Sequence, residues 1–208
     1  MKMYLRPMLA VAAVTSVSAC MGGGGGDDIV TSNGILTLEV PDQGTYASLG
    51  SKEQLLVDNV IDSNTMQGAA TMPPAGSSLY SGTFALVFDG DGAMITGNTT
   101  LTVTSDTNIA YDFEAIDIDD PDNPGATVSG NLLGSTTVSG GYFSGSVLGN
   151  VEYDTDGAGS EPFVDVDVSG TVTGAFDDDL DGFGSLEGGA TGTGVDSEFY
   201  GLFHTTID

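Results

Sequence analysis

Apolar and polar residues alternate along most of this chain. In Phe163-Val164-Asp165-Val166-Asp167-Val168-Ser169 the valines fall on one face of an extended segment and the aspartates on the other. That period of two marks a half-buried strand, apolar inward and acidic outward. Leu36, Leu38 and Val40 alternate with Thr37 and Glu39 in the same way. Tyr80, Phe84, Leu86 and Phe88 line one face of a later run with Gly82 in register, and Ile109, Tyr111 and Phe113 do so further on. Runs over 93–104, 126–138, 141–153, 183–191 and 198–206 continue the pattern. Turn formers stand between them: Asp89-Gly90-Asp91-Gly92, Ser105-Asp106, Pro121-Asp122-Asn123-Pro124-Gly125, Asp154-Thr155-Asp156-Gly157 and 177–182. Regularly spaced strands with tight acidic turns predict an all-β fold, an antiparallel up-and-down barrel of about eight strands over 78–206, closed so that no sheet edge remains.

One short helix is expected before the barrel. Ser51-Lys52-Glu53-Gln54 has capping-box spacing, and Leu55, Leu56, Val57, Val60 and Ile61 follow at helical intervals. The helix should run over 52–62, release into a loop over 63–77 containing Pro73-Pro74, and pack on one barrel mouth as a plug or lid. Residues 34–77 thus form an N-terminal strand, helix and loop, and 78–208 the barrel domain.

The first residues are of a different kind. Lys2 and Arg6 precede the apolar run Met8 to Val14, which is too short to cross a bilayer. Val17-Ser18-Ala19-Cys20 follows, and small residues before a cysteine resemble the lipobox of bacterial lipoproteins. This ordering predicts a lipoprotein signal peptide over 1–19 and a lipidated Cys20, which would hold the protein to a membrane through its acyl groups. Cys20 is the only cysteine, so no internal disulfide can form. Residues 20–33 then read as a tether, with five glycines at 22–26. A phosphate-cradling loop would need Lys-Ser/Thr and a helix after the glycines, and neither follows. Met21 stands where enteric bacteria place the aspartate that retains lipoproteins at the inner membrane. The expected location is the outer membrane or cell surface.

The strands of a transmembrane barrel alternate as well, with inside and outside exchanged. Here a lipobox would be redundant, paired aromatic girdles are lacking, and the chain ends in Ile207-Asp208 instead of an aromatic residue. A water-facing barrel is the preferred reading.

Three segments of the C-terminal half combine glycine with aromatics: Gly141-Tyr142-Phe143-Ser144-Gly145-Ser146-Val147, Ser169-Gly170-Thr171-Val172-Thr173-Gly174-Ala175-Phe176 and Glu198-Phe199-Tyr200-Gly201-Leu202-Phe203. This series resembles the barrel domain of the transferrin-binding protein B family of surface lipoproteins, including its small single-barrel relatives. The segment from Pro73 to Phe84 is similar to the first barrel strand of that family, so the resemblance covers about 72–206. Two departures stand out: Gly194-Val195-Asp196 replaces the family's Gly-Pro before the last strand, and the second lobe of the full-length receptors is absent. The resemblance therefore implies a fold and a surface location more than an iron-protein ligand. It implies a binding module that captures a protein or a small ligand in the barrel mouth. The competing expectation is a structural envelope lipoprotein with no dedicated ligand, binding calcium weakly at acidic turns.

Charge narrows the partners. Thirty Asp and Glu face three Lys and Arg, and beyond the first nineteen residues only Lys52 remains against all thirty acids. Nucleic acid is excluded, because binding phosphates takes clustered basic side chains. Anionic lipid headgroups are disfavoured for the same reason. Short Debye lengths in seawater or brine would make such a surface tolerable.

Candidate chemistry is sparse, and no enzyme is expected. A Ser-His-Asp triad would rest on His204, the single histidine, whose place in the last strand reads as an ordinary strand residue. Clustered Cys and His for a transition metal are missing. Carboxylate pairs are inevitable among thirty acids, and a Trp-free chain offers little surface for stacking sugars. Asp177, Asp179, Asp181 and Gly182 do reproduce the D-x-D-x-D-G opening of a calcium loop. The carbonyl of Phe183 would be a further ligand. The twelfth position, where a bidentate glutamate belongs, is Gly188, with Glu187 one residue early. A solvated hairpin turn is the first reading of this segment, and calcium the only cofactor it suggests. Asp89, Asp91 and the acids at 117, 119, 120 and 122 read as turn chemistry too.

Overall fold

A computed structural model describes residues 29–208 apart from 32–33, 42, 66–69, 75–77, 89–92, 105–106, 121–124, 155–162 and 193–194. The signal segment, Cys20, the glycine run and several predicted turns lie outside the described residues. Two short strands, β1 (Ile29–Thr31) and β2 (Leu38–Val40), pair antiparallel. Strand structure thus begins inside the stretch expected to be tether. Helices α1 (Gln43–Ser48) and α2 (Ser51–Thr65) follow. Then come β3 (Ser78–Phe88), β4 (Met94–Val103), β5 (Asn108–Asp119), β6 (Thr127–Thr137), β7 (Tyr142–Asp154), β8 (Phe163–Phe176), β9 (Gly182–Gly192) and β10 (Val195–Ile207). These eight strands form a closed antiparallel barrel in sequence order, with β10 returning to pair with β3. The predicted fold class is the one observed.

The interior is a packed aromatic core. Phe84, Phe113 and Phe203 meet near its centre with ring centroids 5.5 Å apart, and Phe143 and Phe176 continue the stack toward Tyr80. Rings of this size fit a small barrel only where a neighbour has no side chain. Gly174 lies directly beneath the Phe143 ring, so a Cβ there would overlap it. Outside, Glu114, Asp117, Asp119, Glu152, Asp165, Asp167 and Glu187 are exposed. Apolar residues face in and acids face out, the reverse of a transmembrane barrel.

One irregularity resets the inward face. The β4–β5 register shifts between Thr96 and Gly97, where Gly97 pairs with Ala115 and Thr96 with Asp117. Ile116 is the extra residue and points to solvent. Before this bulge the odd-numbered residues Ile109, Tyr111, Phe113 and Ala115 are buried. After it the even-numbered Ile118 and Asp120 turn inward. Gly97 permits the bulge, because a Cβ there would collide with the Glu114 carbonyl oxygen and approach the Phe84 ring.

Helix α2 departs from expectation in three ways. It starts one residue early and runs three residues past the predicted end. Its N-cap is Gly50, whose carbonyl accepts the Gln54 N–H at 2.9 Å; the Glu53 carboxylate folds back over Gly50. It does not plug a mouth. Leu56, Val57 and Val60 pack with Leu36, Leu38 and Val40 onto Ala175, Phe183 and Leu202, which face outward from β8, β9 and β10. The helix therefore lies on the outer wall of the barrel. Small and apolar outward residues there replace the Ser, Thr and acids found around the rest of the barrel. Leu55, counted with the apolar face in sequence, is exposed. The segment 70–74 runs instead along the rim where β3 begins: the Thr71 N–H donates to the Phe176 carbonyl at 2.8 Å, Ala70 lies against Gly141, and Pro73 is buried.

Side chains fasten this N-terminal unit. Asn64, buried at the end of α2, accepts the Leu36 N–H at 2.7 Å and donates to the Leu36 carbonyl at 3.1 Å. Its own carbonyl accepts the Ile35 N–H at 2.9 Å. The Tyr200 hydroxyl does likewise for β2, accepting from the Glu39 N–H at 3.0 Å and donating to its carbonyl at 2.7 Å. Helix α1 was not expected, since Gly44 and Thr45 are poor helix formers and the stretch has no apolar periodicity. It is tied to α2 by the Tyr46 hydroxyl on the Asp58 carboxylate at 2.9 Å.

Candidate functional site

The two ends of the barrel differ. At the end where β3 starts, the aromatic stack and the 70–74 segment fill the space. At the other end the side chains shorten to valine, isoleucine and alanine, and a cavity of about 160 Å³ opens. Phe88, Ile95 and Val168 lie deeper, while Ile118, Val151, Val166 and Val195 form the wall. The Phe88 and Phe199 rings, 6.0 Å apart, belong to the core at this level. The cup results from the alternation itself, with β4, β5, β7, β8 and β10 contributing inward β-branched residues near this end.

Three polar side chains reach the lining: Asp120, Tyr153 and Ser197. Asp120 is 7% exposed, and the Tyr153 hydroxyl donates to its Oδ2 through a short hydrogen bond. The sequence reading of Asp120 as a turn residue is therefore corrected. The bulge at Ile116 moves it from the outer face to the inner one, onto the wall of an apolar cavity. Among the described residues, the lining contains an acidic group and no basic one.

The acidic turn 177–181 sits at the opposite end, below α2. Asp177 is buried, and its Oδ1 accepts the N–H groups of Asp179 at 3.0 Å and Asp181 at 2.9 Å. Its side chain thus organises the hairpin from within. Leu180, at φ 69°, takes the left-handed position that closes a three-residue loop. Asp178 and Asp179 are exposed. Phe183 pairs with Ala175 and His204 in the sheet, which engages its backbone in the ladder. Glu187 stands five residues along β9 from Gly182, about 16 Å at strand rise, and faces outward. The turn and Glu187 are not brought together. Among the described residues, no three His, Cys, Asp or Glu side chains gather to hold a metal ion.

His204 is on the outer face of β10, beneath α2. Its Nε2 is 3.3 Å from the Ser63 Oγ and 3.6 Å from the Asp181 Oδ2. A catalytic triad divides serine and carboxylate between the two ring nitrogens, whereas both groups here meet the same one. Burial holds the imidazole below its ordinary pKa, against an opposing pull from Asp177. Asp181 is pushed up to about 6, first by burial and then by the charges of Asp177 and Asp179. The cluster joins α2 to the β8–β9 turn and to β10.

The residues that sequence reading missed are Asp120, Tyr153 and Ser197 in the cup and Asn64 under the helix. Asp120 was hidden by the parity change, which only the glycine at 97 hinted at. No protein-family model, curated protein or solved structure matches this chain.

Proposed function

We propose that the protein is a lipid-anchored binding module of the bacterial envelope, held at the outer membrane or cell surface through Cys20, whose barrel mouth takes up a small apolar body. One observation carries this reading: a barrel whose centre is packed with aromatic rings leaves an apolar cavity at one end, with a few polar groups converging on it. Such a combination is the general form of a small-molecule site. The cup opens at the end away from the 70–74 segment, through which the chain enters β3. The lipobox and the resemblance to the transferrin-binding protein B barrel support the surface location.

Two experiments test the proposal. Cys20→Ala should move the protein from the detergent phase to the aqueous phase on partitioning; unchanged membrane association removes the anchor. Titration of the purified protein with 2-phenylethanol, a neutral single-ring probe, should give saturable shifts in the methyl resonances of Val151, Val166 and Val195. Shifts scattered over the whole surface, or none, would refute the cup as a binding site.

A further inference from the structure

We infer that the cup selects an ammonium: a primary or secondary amine carrying one aromatic ring or a short branched alkyl body. The inference rests on the cup being a ligand site and specifies what that site prefers.

Three observations combine. The first is size. A closed cavity of about 150 Å³ lined by Leu, Ile and Phe accommodates a benzene ring, and this one measures about 160 Å³ with comparable walls. It fits a single ring or an equivalent aliphatic group. The second is the sign of the wall. Among the described residues, Asp120 and Tyr153 are its titratable groups, and no Lys, Arg or His lines it. Tyr153 donates its hydroxyl hydrogen to Asp120 Oδ2, so the hydroxyl's donor is used within the pair and the wall keeps its acidic sign. An anionic ligand would bring a second negative charge beside Asp120 in a low-dielectric pocket. An ammonium there would gain a charge-assisted hydrogen bond while its apolar body fills the cavity. The third is the long-range field. With net charge −27, the whole molecule raises the local concentration of cations and lowers that of anions.

The bulge makes this arrangement specific. Were alternation to run unbroken through Ile116, position 120 would face solvent with the other β5 acids, and the cup would lose its carboxylate. The acid is introduced into the pocket by a local device of the β4–β5 pair, and Tyr153 on β7 orients its carboxylate.

The test compares three probes of the same shape with the purified protein at 0.15 M salt: 2-phenylethylamine, 2-phenylethanol and 3-phenylpropanoate, with ethylamine as the control for general attraction to an acidic surface. The amine should bind at least tenfold more tightly than the alcohol, the carboxylate more weakly still, and ethylamine without saturation at the cup valines. Asp120→Asn should reduce amine affinity about tenfold and leave alcohol affinity within twofold. If Asp120→Asn fails to fold, Val195→Phe, which fills the cup from its rim, should abolish saturable binding of the amine. Equal affinity for amine and alcohol, or amine binding that survives Val195→Phe, overturns the ammonium preference while alcohol binding leaves the apolar cup in place. Failure of all four compounds to saturate the cup valines overturns the ligand site itself.

Discussion

Replacing Asp181 by Asn should stabilise the protein at neutral pH and do nothing in acid. The Asp181 carboxyl is pushed from its ordinary 3.8 to about 6 because it is partly buried and faces Asp177 and Asp179. A carboxyl with a raised folded-state pKa favours the native state while protonated, so its contribution is complete below pH 3.8 and is lost as pH rises through about 6. At full strength that interval corresponds to about 3 kcal/mol. The Asp181 side chain is 27% exposed, and solvent screening reduces the figure to about 1 kcal/mol. Asparagine has no charge to desolvate, and the Asp181 N–H that donates to Asp177 is untouched. In a domain of this length about 1 kcal/mol shifts Tm by roughly 2–4 °C. The assay is thermal unfolding of both proteins from pH 3.5 to 8.5 at constant ionic strength. The difference should be nil near pH 3.5, grow between pH 4 and 6, and level off above 6.5. His204 has the opposite sign: its lowered pKa contributes stability above 6.5 that disappears as pH falls through the folded value. It is present in both proteins, so its window largely cancels in the difference. A lower Tm for the Asn variant at pH 8 would refute the reasoning, because the carboxylate at 181 would then be a favourable partner of His204.

Further outcomes are expected elsewhere. Asn64→Ala removes two buried hydrogen bonds and strands the Leu36 amide and carbonyl, which should cost about 2–3 kcal/mol; hydrogen exchange should accelerate over 34–65 while the barrel amides keep their protection. Thr107 is exposed at φ 76°, so Thr107→Gly should relieve strain and raise stability by about 0.5–1 kcal/mol, and a lower Tm would contradict the assignment. Calcium should raise Tm no more than magnesium at matched ionic strength, because the Asp177 Oδ1 already serves two backbone amides; a calcium-specific rise abolished by Asp179→Asn/Asp181→Asn would establish a site.

The barrel was legible because its code is local. Val164 to Val168, Leu36 to Val40 and Tyr80 to Phe88 each state a face in two-residue steps, and each face is buried as stated. The glycines that accompany the aromatics were legible for the same reason: a ring such as Phe143 needs an empty neighbour, here Gly174. What remained hidden depends on contacts distant in sequence. Whether α2 covers a mouth or a wall is decided by Ala175, Phe183 and Leu202, three outward residues on three strands whose apolarity signals nothing until the strands are closed. Asp120 resembled its turn neighbours because the one-residue bulge at Ile116, accommodated by Gly97 on the paired strand, leaves no mark in composition. Asn64 imitates a backbone partner for Leu36, a role that any polar residue after a helix could equally announce.

The bulge opposite Gly97 has an evolutionary consequence. Downstream of it, every residue of β5 faces the side opposite to the one its number would otherwise assign. Loss of Ile116 alone would set Asp117 directly after Ala115 and leave Ile118 and Asp120 inward; straightening the strand with Ile116 kept in the ladder would instead turn Asp117 and Asp119 inward, with no side chain chemically altered. Closing the bulge at unchanged chain length thus rewrites the cavity wall as a block while leaving the rings at the barrel centre undisturbed. A single substitution that disfavours the bulge, such as Gly97→Ala with its Cβ against the Glu114 carbonyl, would exchange several wall residues at once, where a conventional pocket would require several substitutions in concert.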